Sequence, residues 1–253
     1  MMMEFQDQVV LVTGGSKGIG KAVAMLAAKR GAAVIIVGRS LGALNDTADE
    51  IRAATGARLV TVAGDVADAD TAIRAVAQAR DHFGRLDVVA NIAGAFPTAL
   101  LEDTTEADFA ETIDINLKGT FLMCREALPY LRQQGWGAIV NMSSTAARFP
   151  TPGLSVYGAS KAGVEAFTRA IANEAAPHIR VNAVSAGPTM TETVAALMAV
   201  DQTGAVDAVT KSLPLARLAD PDEIAEAVLF LASSRASFIT GQILQANGGG
   251  IMA

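Results

Sequence analysis

Apolar residues in this chain fall into short blocks. Val9-Val-Leu-Val12, Ala33-Val-Ile-Ile-Val37 and Gly137-Ala-Ile-Val140 are runs of the length that suits strands buried on both faces. Strand-like runs recur near residues 9–13, 33–38, 58–63, 86–91, 137–143, 179–184 and 242–246. Between them lie helical patterns such as Asp68–His82, Glu106–Arg132 and Val156–Ala175. This alternation predicts an α/β fold, a doubly wound parallel sheet of about seven strands with helices on both faces. Ligands of such sheets sit at the carboxyl ends of the strands, near the point where strand order reverses. Candidate chemistry falls there: Gly14 follows the first strand, Asp65 the third, Asn91 the fourth, Ser143 and Ser144 the fifth, and Gly187 the sixth. Pro188 to Leu213 breaks the alternation. Met190, Val194, Leu197 and Met198 have helical spacing and Asp201–Gly204 resembles a turn, which predicts a helical flap or lid over the pocket at about 188–213.

Composition narrows the class. At 253 residues the chain suits one large domain, 1–253, and no stretch reads as a linker. Although 51% of residues are apolar, charges interrupt every run, so no membrane span is expected. Met1–Gln8 lacks a basic stretch followed by an apolar core, which predicts a cytoplasmic protein. Cys124 is the only cysteine and reads as a small buried hydrophobe. A net charge of -6 argues against a nucleic-acid surface. With one cysteine and two histidines, His82 and His178, the chain has a poor ligand set for zinc, and no metal site is expected.

The first strand runs into Thr13-Gly-Gly-Ser-Lys-Gly-Ile-Gly20 and then an alanine-rich helix. Gly14 permits the turn, Gly18 lets backbone approach a diphosphate, and Gly20 allows close helix packing. The helix start adds free N–H groups and a positive dipole end. The second strand follows at the distance a βαβ unit requires.

Tyr157 and Lys161 lie four residues apart in a predicted helix, on one face. Asn141-Met-Ser-Ser144 ends the preceding strand, where a hydroxyl could bind a carbonyl oxygen that Tyr157 protonates. A tyrosine packed on a lysine stem is the plainer alternative.

Together these motifs resemble the short-chain dehydrogenase/reductases of about 250 residues, over nearly the whole chain. The matching pieces are Thr13–Gly20, Asp65-Val66, Asn91-Ile-Ala-Gly94, Asn116, Ser144, Tyr157-Gly-Ala-Ser-Lys161, Gly187 and Ile239-Thr-Gly-Gln242. The resemblance implies a Rossmann fold and a catalytic tetrad of Asn116, Ser144, Tyr157 and Lys161. Ser144 would hold the substrate oxygen, Tyr157 would exchange the proton, Lys161 would also anchor the nicotinamide ribose, and Asn116 would hold a water linking Lys161 to solvent. Asn116 reads equally as a polar residue that distorts its helix while satisfying backbone groups. Bringing a phenol from ~10 to neutrality takes about 4 kcal/mol, and the Lys161 ammonium and an oxidised nicotinamide both act in that direction.

For the cofactor, the resemblance implies contacts from Gly14, Ser16, Lys17, Gly18, Ile19 and Gly20. Asp65, Val66, Asn91, Ala93 and Gly94 would lie along the adenosine side, and Gly187, Thr189 and Thr191 near the carboxamide. Val37-Gly38-Arg39-Ser40 places no carboxylate for the ribose hydroxyls and puts Arg39 next in line. With Lys17 as a second cation this favours NADP(H), NAD(H) remaining possible. Arg39 could instead stack on adenine and Lys17 be solvated. Ala186 stands where the family has a proline, and Ile92 where a second asparagine is common.

By the same resemblance Phe96, Ser144, Ala146, Phe149, Thr151, Pro188, Met190 and Val194 line the substrate pocket. Their mainly apolar character predicts a small neutral ketone or secondary alcohol, as for a carbonyl reductase. Arg148 could bind a substrate carboxylate or face solvent. Reduction of carrier-bound 3-oxoacyl groups is an alternative, although Arg132-Gln-Gln-Gly-Trp-Gly137 holds one cation. NAD-dependent alcohol dehydrogenation is another. A non-catalytic nucleotide sensor would be expected to lose Tyr157 or Lys161. The broad apolar arc of Gly163, Val164, Ala166, Phe167, Ala170 and Ile171 implies burial on two sides, and the resemblance suggests a homotetramer built through this helix and Phe121–Leu131.

Overall fold

The computed structural model describes residues 3–201 and 204–252. Its sheet contains β1 (Val9–Thr13), β2 (Ala33–Gly38), β3 (Leu59–Ala63), β4 (Val88–Asn91), β5 (Gly137–Ser144), β6 (Ile179–Ala186) and β7 (Ile243–Ala246). All pairings are parallel, in the order β3-β2-β1-β4-β5-β6-β7. The α/β architecture read from the alternation is the one observed, with strand limits shifted by two residues at most. Order reverses between β1 and β4, where the Thr13 hydroxyl accepts N–H bonds from Ile92 and Ala93 at 3.0 and 3.1 Å. The two strand exits that frame the switch point are thereby tied together.

Two cores follow from the period-two alternation of side chains. Val10, Val12, Val34, Ile36 and Val140 pack on one face against α1 (Gly18–Lys29), α2 (Leu41–Thr55) and α9 (Pro221–Ala232). Leu11, Ile35, Val89 and Ile139 pack on the other against α3 (Ala69–Phe83), α5 (Gly119–Gln134) and α6 (Ser155–Ala175). Each such aliphatic side chain contributes about 1.5–3 kcal/mol on burial.

The expected continuous helix Glu106–Arg132 is interrupted. It consists of α4 (Glu106–Ile113), a π-helical turn at Asp114–Lys118, and α5. The reason is Asn116, whose amide leaves the helix to bond the backbone of Ala95. Such turns often mark functional positions.

The segment after β6 contains α7 (Glu192–Val200) and α8 (Ala205–Ser212). Helix begins after Met190, because Met190 N–H donates to Ala219 O at 2.8 Å and the Thr191 hydroxyl caps α7 at Val194 N–H. The turn expected at Asp201–Gly204 includes Gln202 and Thr203, which lie outside the described residues. Among the described residues no helix is long and apolar enough to cross a membrane.

Candidate active site

The glycine turn needs its glycines for space. Gly14 has φ +70°, and a Cβ there would lie 2.9 Å from Ala93 Cα. At Gly20 a Cβ would lie within 2.1 Å of the Gly14 carbonyl oxygen, so this glycine seats α1 on the turn itself. Thr47 Oγ1 donates to Ser16 O at 3.1 Å, bracing the turn from α2, while Ile19 packs partly into the core. The first turn of α1 carries no acidic residue and Lys17 offers no side-chain cap, leaving an electropositive end. Gly18 N–H donates to Glu192 Oε2 at 2.9 Å, and Lys17 Nζ donates to Thr193 Oγ1 at 3.3 Å. A carboxylate of α7 thus rests on the cradle, showing that its N–H is placed for an anion, and this donor set fits a dinucleotide diphosphate.

Along the adenosine side the candidates have mixed roles. Arg39 is 70% exposed in its side chain and 4.0 Å from Glu111, a pair that holds it weakly. The Ser40 hydroxyl caps α2, accepting from Ala43 N–H at 3.3 Å. Asp65 accepts from Ala67 N–H at 2.9 Å, and Val66 is buried against Gly119. Asn91 is turned into the sheet: its amide donates to Asn141 Oδ1 at 2.9 Å and to Cys124 Sγ at 3.3 Å. Asn141 donates onward to Thr168 Oγ1 at 2.9 Å, linking β4, β5 and α6. The contact Asn91 can offer a ligand is therefore mainly through its backbone. Cys124 is buried, and its thiol is pushed up to about 12 by desolvation. At the other end Gly187 lies against Asn247, where a Cβ would come within 2.7 Å of Cα; the buried Thr189 hydroxyl donates to Gly187 O at 2.9 Å.

Four polar residues converge beyond the end of β5. Tyr157 and Lys161 stand one turn apart on α6, with Lys161 Nζ 5.8 Å from the Tyr157 ring centroid. Lys161 is buried, donates to Met142 O at 2.9 Å, and is pushed down to about 8 by desolvation. The Ser144 hydroxyl lies near the Tyr157 phenol and accepts from Ala146 N–H at 3.2 Å. Burial raises the Tyr157 phenol above its ordinary range, and the nearby Ser144 hydroxyl opposes that shift. The protein alone thus stabilises the neutral phenol, contrary to the lowering expected from Lys161. The cause is that the phenol loses water while the ammonium sits beside the ring. Asn116 is fully buried: Oδ1 accepts from Ala95 N–H, and Nδ2 donates to Ala95 O and Ser160 Oγ, each at 2.9 Å. A Cβ at Gly94 would fall 3.1 Å from Asn116 Oδ1 and 3.4 Å from Lys161 Nζ, so Gly94 keeps the space between them open.

The small cavity beside Tyr157 has a mixed lining, Pro97, Ala99 and Val156 with Thr104, Asp108, Thr112 and Ser155, besides Tyr157 itself. Phe96 packs edge-on against Tyr157 at 6.1 Å, and Phe96, Phe149 and Met190 are exposed, with Ala146, Pro188 and Val194 half-buried. Thr151 is exposed and donates to Phe149 O at 3.4 Å. Arg148 is exposed, as the solvent-facing alternative expects, but its guanidinium is held: Nε and Nη2 lie 3.1 Å from Glu165 Oε2. Sequence reading missed Glu165, Ser160 and Glu192. Glu165 and Ser160 belong to the α6 sequence around Lys161, where only the folded helix shows which way they face.

The sequence model of a family described as enoyl-(acyl carrier protein) reductase matches residues 14–250. The chain is 43% identical to cis-4-hydroxycyclohexanecarboxylate dehydrogenase of Sinomonas cyclohexanicum, covering 97% of both proteins. It is 37% identical to a 3-oxoacyl-[acyl-carrier-protein] reductase of Thermotoga maritima, covering 98% of this chain and 99% of that one. The structure of L-sorbose reductase from Gluconobacter frateurii, complexed with NADPH and L-sorbose, superposes with a TM-score of 0.93 at 28% identity over 100% of both chains. The chain belongs to the short-chain dehydrogenase/reductase family and is an oxidoreductase acting on CH–OH or C=O groups of small molecules.

Proposed function

We propose that the chain is an NADP(H)-dependent carbonyl reductase or secondary-alcohol dehydrogenase with Tyr157 as general acid in reduction and general base in oxidation. The observation that carries this reading is the convergence of Ser144, Tyr157 and Lys161 at one end of the sheet. Ser144 orients the substrate oxygen toward the phenol, and Tyr157 gives up or takes its proton. Lys161 is mainly protonated near neutral pH, and its charge favours the phenolate form. Both Asn116 Nδ2 hydrogens are committed, but Oδ1 accepts one bond and the backbone carbonyl one, from Thr120 Oγ1 at 2.8 Å, so each oxygen keeps a lone pair for a relay water. The turn Gly14–Gly20 would hold the diphosphate, Lys161 the ribose, and Thr189 and Thr191 the carboxamide, the bound nicotinamide supplying or accepting hydride. Arg39 and Lys17 support NADP(H), since both are cations whose present contacts are weak.

The substrate class follows from the wall. With Arg148 held by Glu165, the apolar surface of Phe96, Phe149 and Met190 supports a neutral ketone or alcohol over a carboxylate. Carrier-bound 3-oxoacyl substrates are disfavoured because Thr104 and Asp108 share a small cavity with Tyr157, and the adjoining surface exposes Glu102, Asp103, Glu106 and Glu111. A basic entrance would suit an acidic carrier. In this reading α7 and α8 form the lid over residues 188–213. The partly exposed Phe121–Phe167 pair, with Ala166 and Ala170, forms part of a homotetramer contact.

A panel of neutral ketones, keto acids and carrier-bound oxoacyl groups, each assayed with NADPH and NADH, tests this function. Highest kcat/KM for a neutral ketone with NADPH is expected; a preference for carrier-bound substrates or NADH counts against it.

A further inference from the structure

Ser144 ends β5 and begins a short 3₁₀ turn at Thr145–Ala147, where a hydroxyl is free to drift unless both flanks are fixed. Both flanks are fixed, and by one side chain. Glu165 stands one turn beyond Lys161 on α6 and is 97% buried, with 3% exposure. Its Oε1 accepts from the Ser143 hydroxyl at 3.2 Å, immediately before Ser144. Its Oε2 accepts from Arg148 Nε at 3.1 Å, immediately after the turn, and lies 3.7 Å from Arg169 Nη1. The Ser143 hydroxyl also lies 3.3 Å from Lys161 O, which ties the same strand end to the helix that carries Tyr157 and Lys161. A carboxylate this buried persists because each oxygen has a donor and two guanidiniums balance its charge.

We propose that Glu165 is a positioning residue: through Ser143 and Arg148 it clamps the Ser144 turn onto α6 and so holds the Ser144 hydroxyl against Tyr157. The proposal rests on the reading of Ser144 and Tyr157 as the reacting pair. The clamp touches neither substrate nor cofactor. It acts by fixing geometry, for which displacements on the order of 1 Å can cost about 10²-fold in rate.

Glu165→Gln removes the charge at nearly constant shape. Amide hydrogen exchange in the uncomplexed protein reads the clamp directly. Ala146 N–H on Ser144 Oγ, and Arg148 and Phe149 N–H on Thr145 O, should exchange ~10-fold faster, with β1 amides unchanged, as expected for a local opening. In the active protein kcat should fall ~10-fold with KM changed less. The charged groups nearest Tyr157 are Lys161 on its own helix and Asp108, which lines the same cavity from α4 with its carboxylate on Thr105, and neither is altered. Drift of the Ser144 hydroxyl, which favours the phenolate, should therefore move the ionisation limb of the kcat profile to higher pH, which a merely smaller folded fraction would not do. Glu165→Asp, which keeps the charge, should restore part of kcat. If Glu165→Gln does not fold, Arg148→Ala opens the same clamp from its exposed side. Unchanged exchange at these amides overturns the proposal, as does faster exchange with an unmoved pH limb. If the wild-type protein turns over no carbonyl compound with either dinucleotide, the functional reading fails, while the exchange result still decides the clamp.

Discussion

Gly18 N–H donates to Glu192 Oε2 at 2.9 Å, so a carboxylate from α7 lies on the first amide of α1, in the cradle that the glycine turn builds for phosphate. An incoming diphosphate competes with this internal anion, and apparent affinity falls with the fraction of molecules in which the contact is closed. Charged hydrogen bonds contribute about 1.5–3 kcal/mol, and exposure to water reduces that. Glu192→Gln should therefore tighten NADPH binding by about fivefold in calorimetric titration. Unchanged or weaker binding would show that Glu192 swings clear without cost.

Lys161 is a buried amine lowered from 10.5 to about 8. Its charged form is disfavoured in the folded protein, so it lowers stability while both states are protonated, below about 8. Between that value and 10.5 the unfolded chain binds more protons, and stability rises with pH. At about 1.4 kcal/mol per unit, the cost near neutrality is about 3 kcal/mol. Lys161→Met should abolish turnover yet raise stability by about 1–3 kcal/mol near neutral pH, after allowing for the orphaned Met142 carbonyl. Urea denaturation should show this gain shrinking as pH approaches 10.5.

Arg39→Asp should shift the kcat/KM ratio from NADP(H) toward NAD(H) by tens-fold, a charge-assisted hydrogen bond lost and a repulsion gained. Steady-state kinetics with both coenzymes measures it. An unchanged ratio would leave Arg39 as a stacking or solvated residue.

Only Tyr130 and Tyr157 can ionise as phenols, so Tyr130→Phe isolates the proposed acid for ultraviolet titration. In the free protein the Tyr157 phenol should titrate above 10, because burial favours its neutral form. Stability should accordingly fall as pH rises between the unfolded value and the higher folded one. Oxidised coenzyme should move the titration downward by adding a positive charge to that of Lys161. A phenol already ionising near neutrality without coenzyme would contradict this account.

The fold was legible because parallel strands buried on both faces leave continuous apolar runs, and the turn after Thr13 has a spacing that few other structures need. Tyr157 and Lys161 were legible for a similar reason, since helical periodicity alone puts them on one face. The break at Asp114–Lys118 was not, because it is caused by Ala95, far away in sequence, taking the Asn116 amide. Likewise the pairing of Arg148 with Glu165 depends on β5 and α6 packing together, and the docking of Glu192 on Gly18 spans 174 residues. Chain-distant partners of polar groups carry no local pattern.

Tyr157→Phe removes the proposed acid's hydroxyl and keeps the ring that packs on Phe96. Coenzyme affinity and kcat should be measured on the same preparation. Coenzyme binding should stay within about threefold of wild type, and kcat should fall by roughly 10²–10⁴-fold, the range of general acid–base catalysis. Retention of more than about a tenth of wild-type kcat would contradict the role of Tyr157 as the acid.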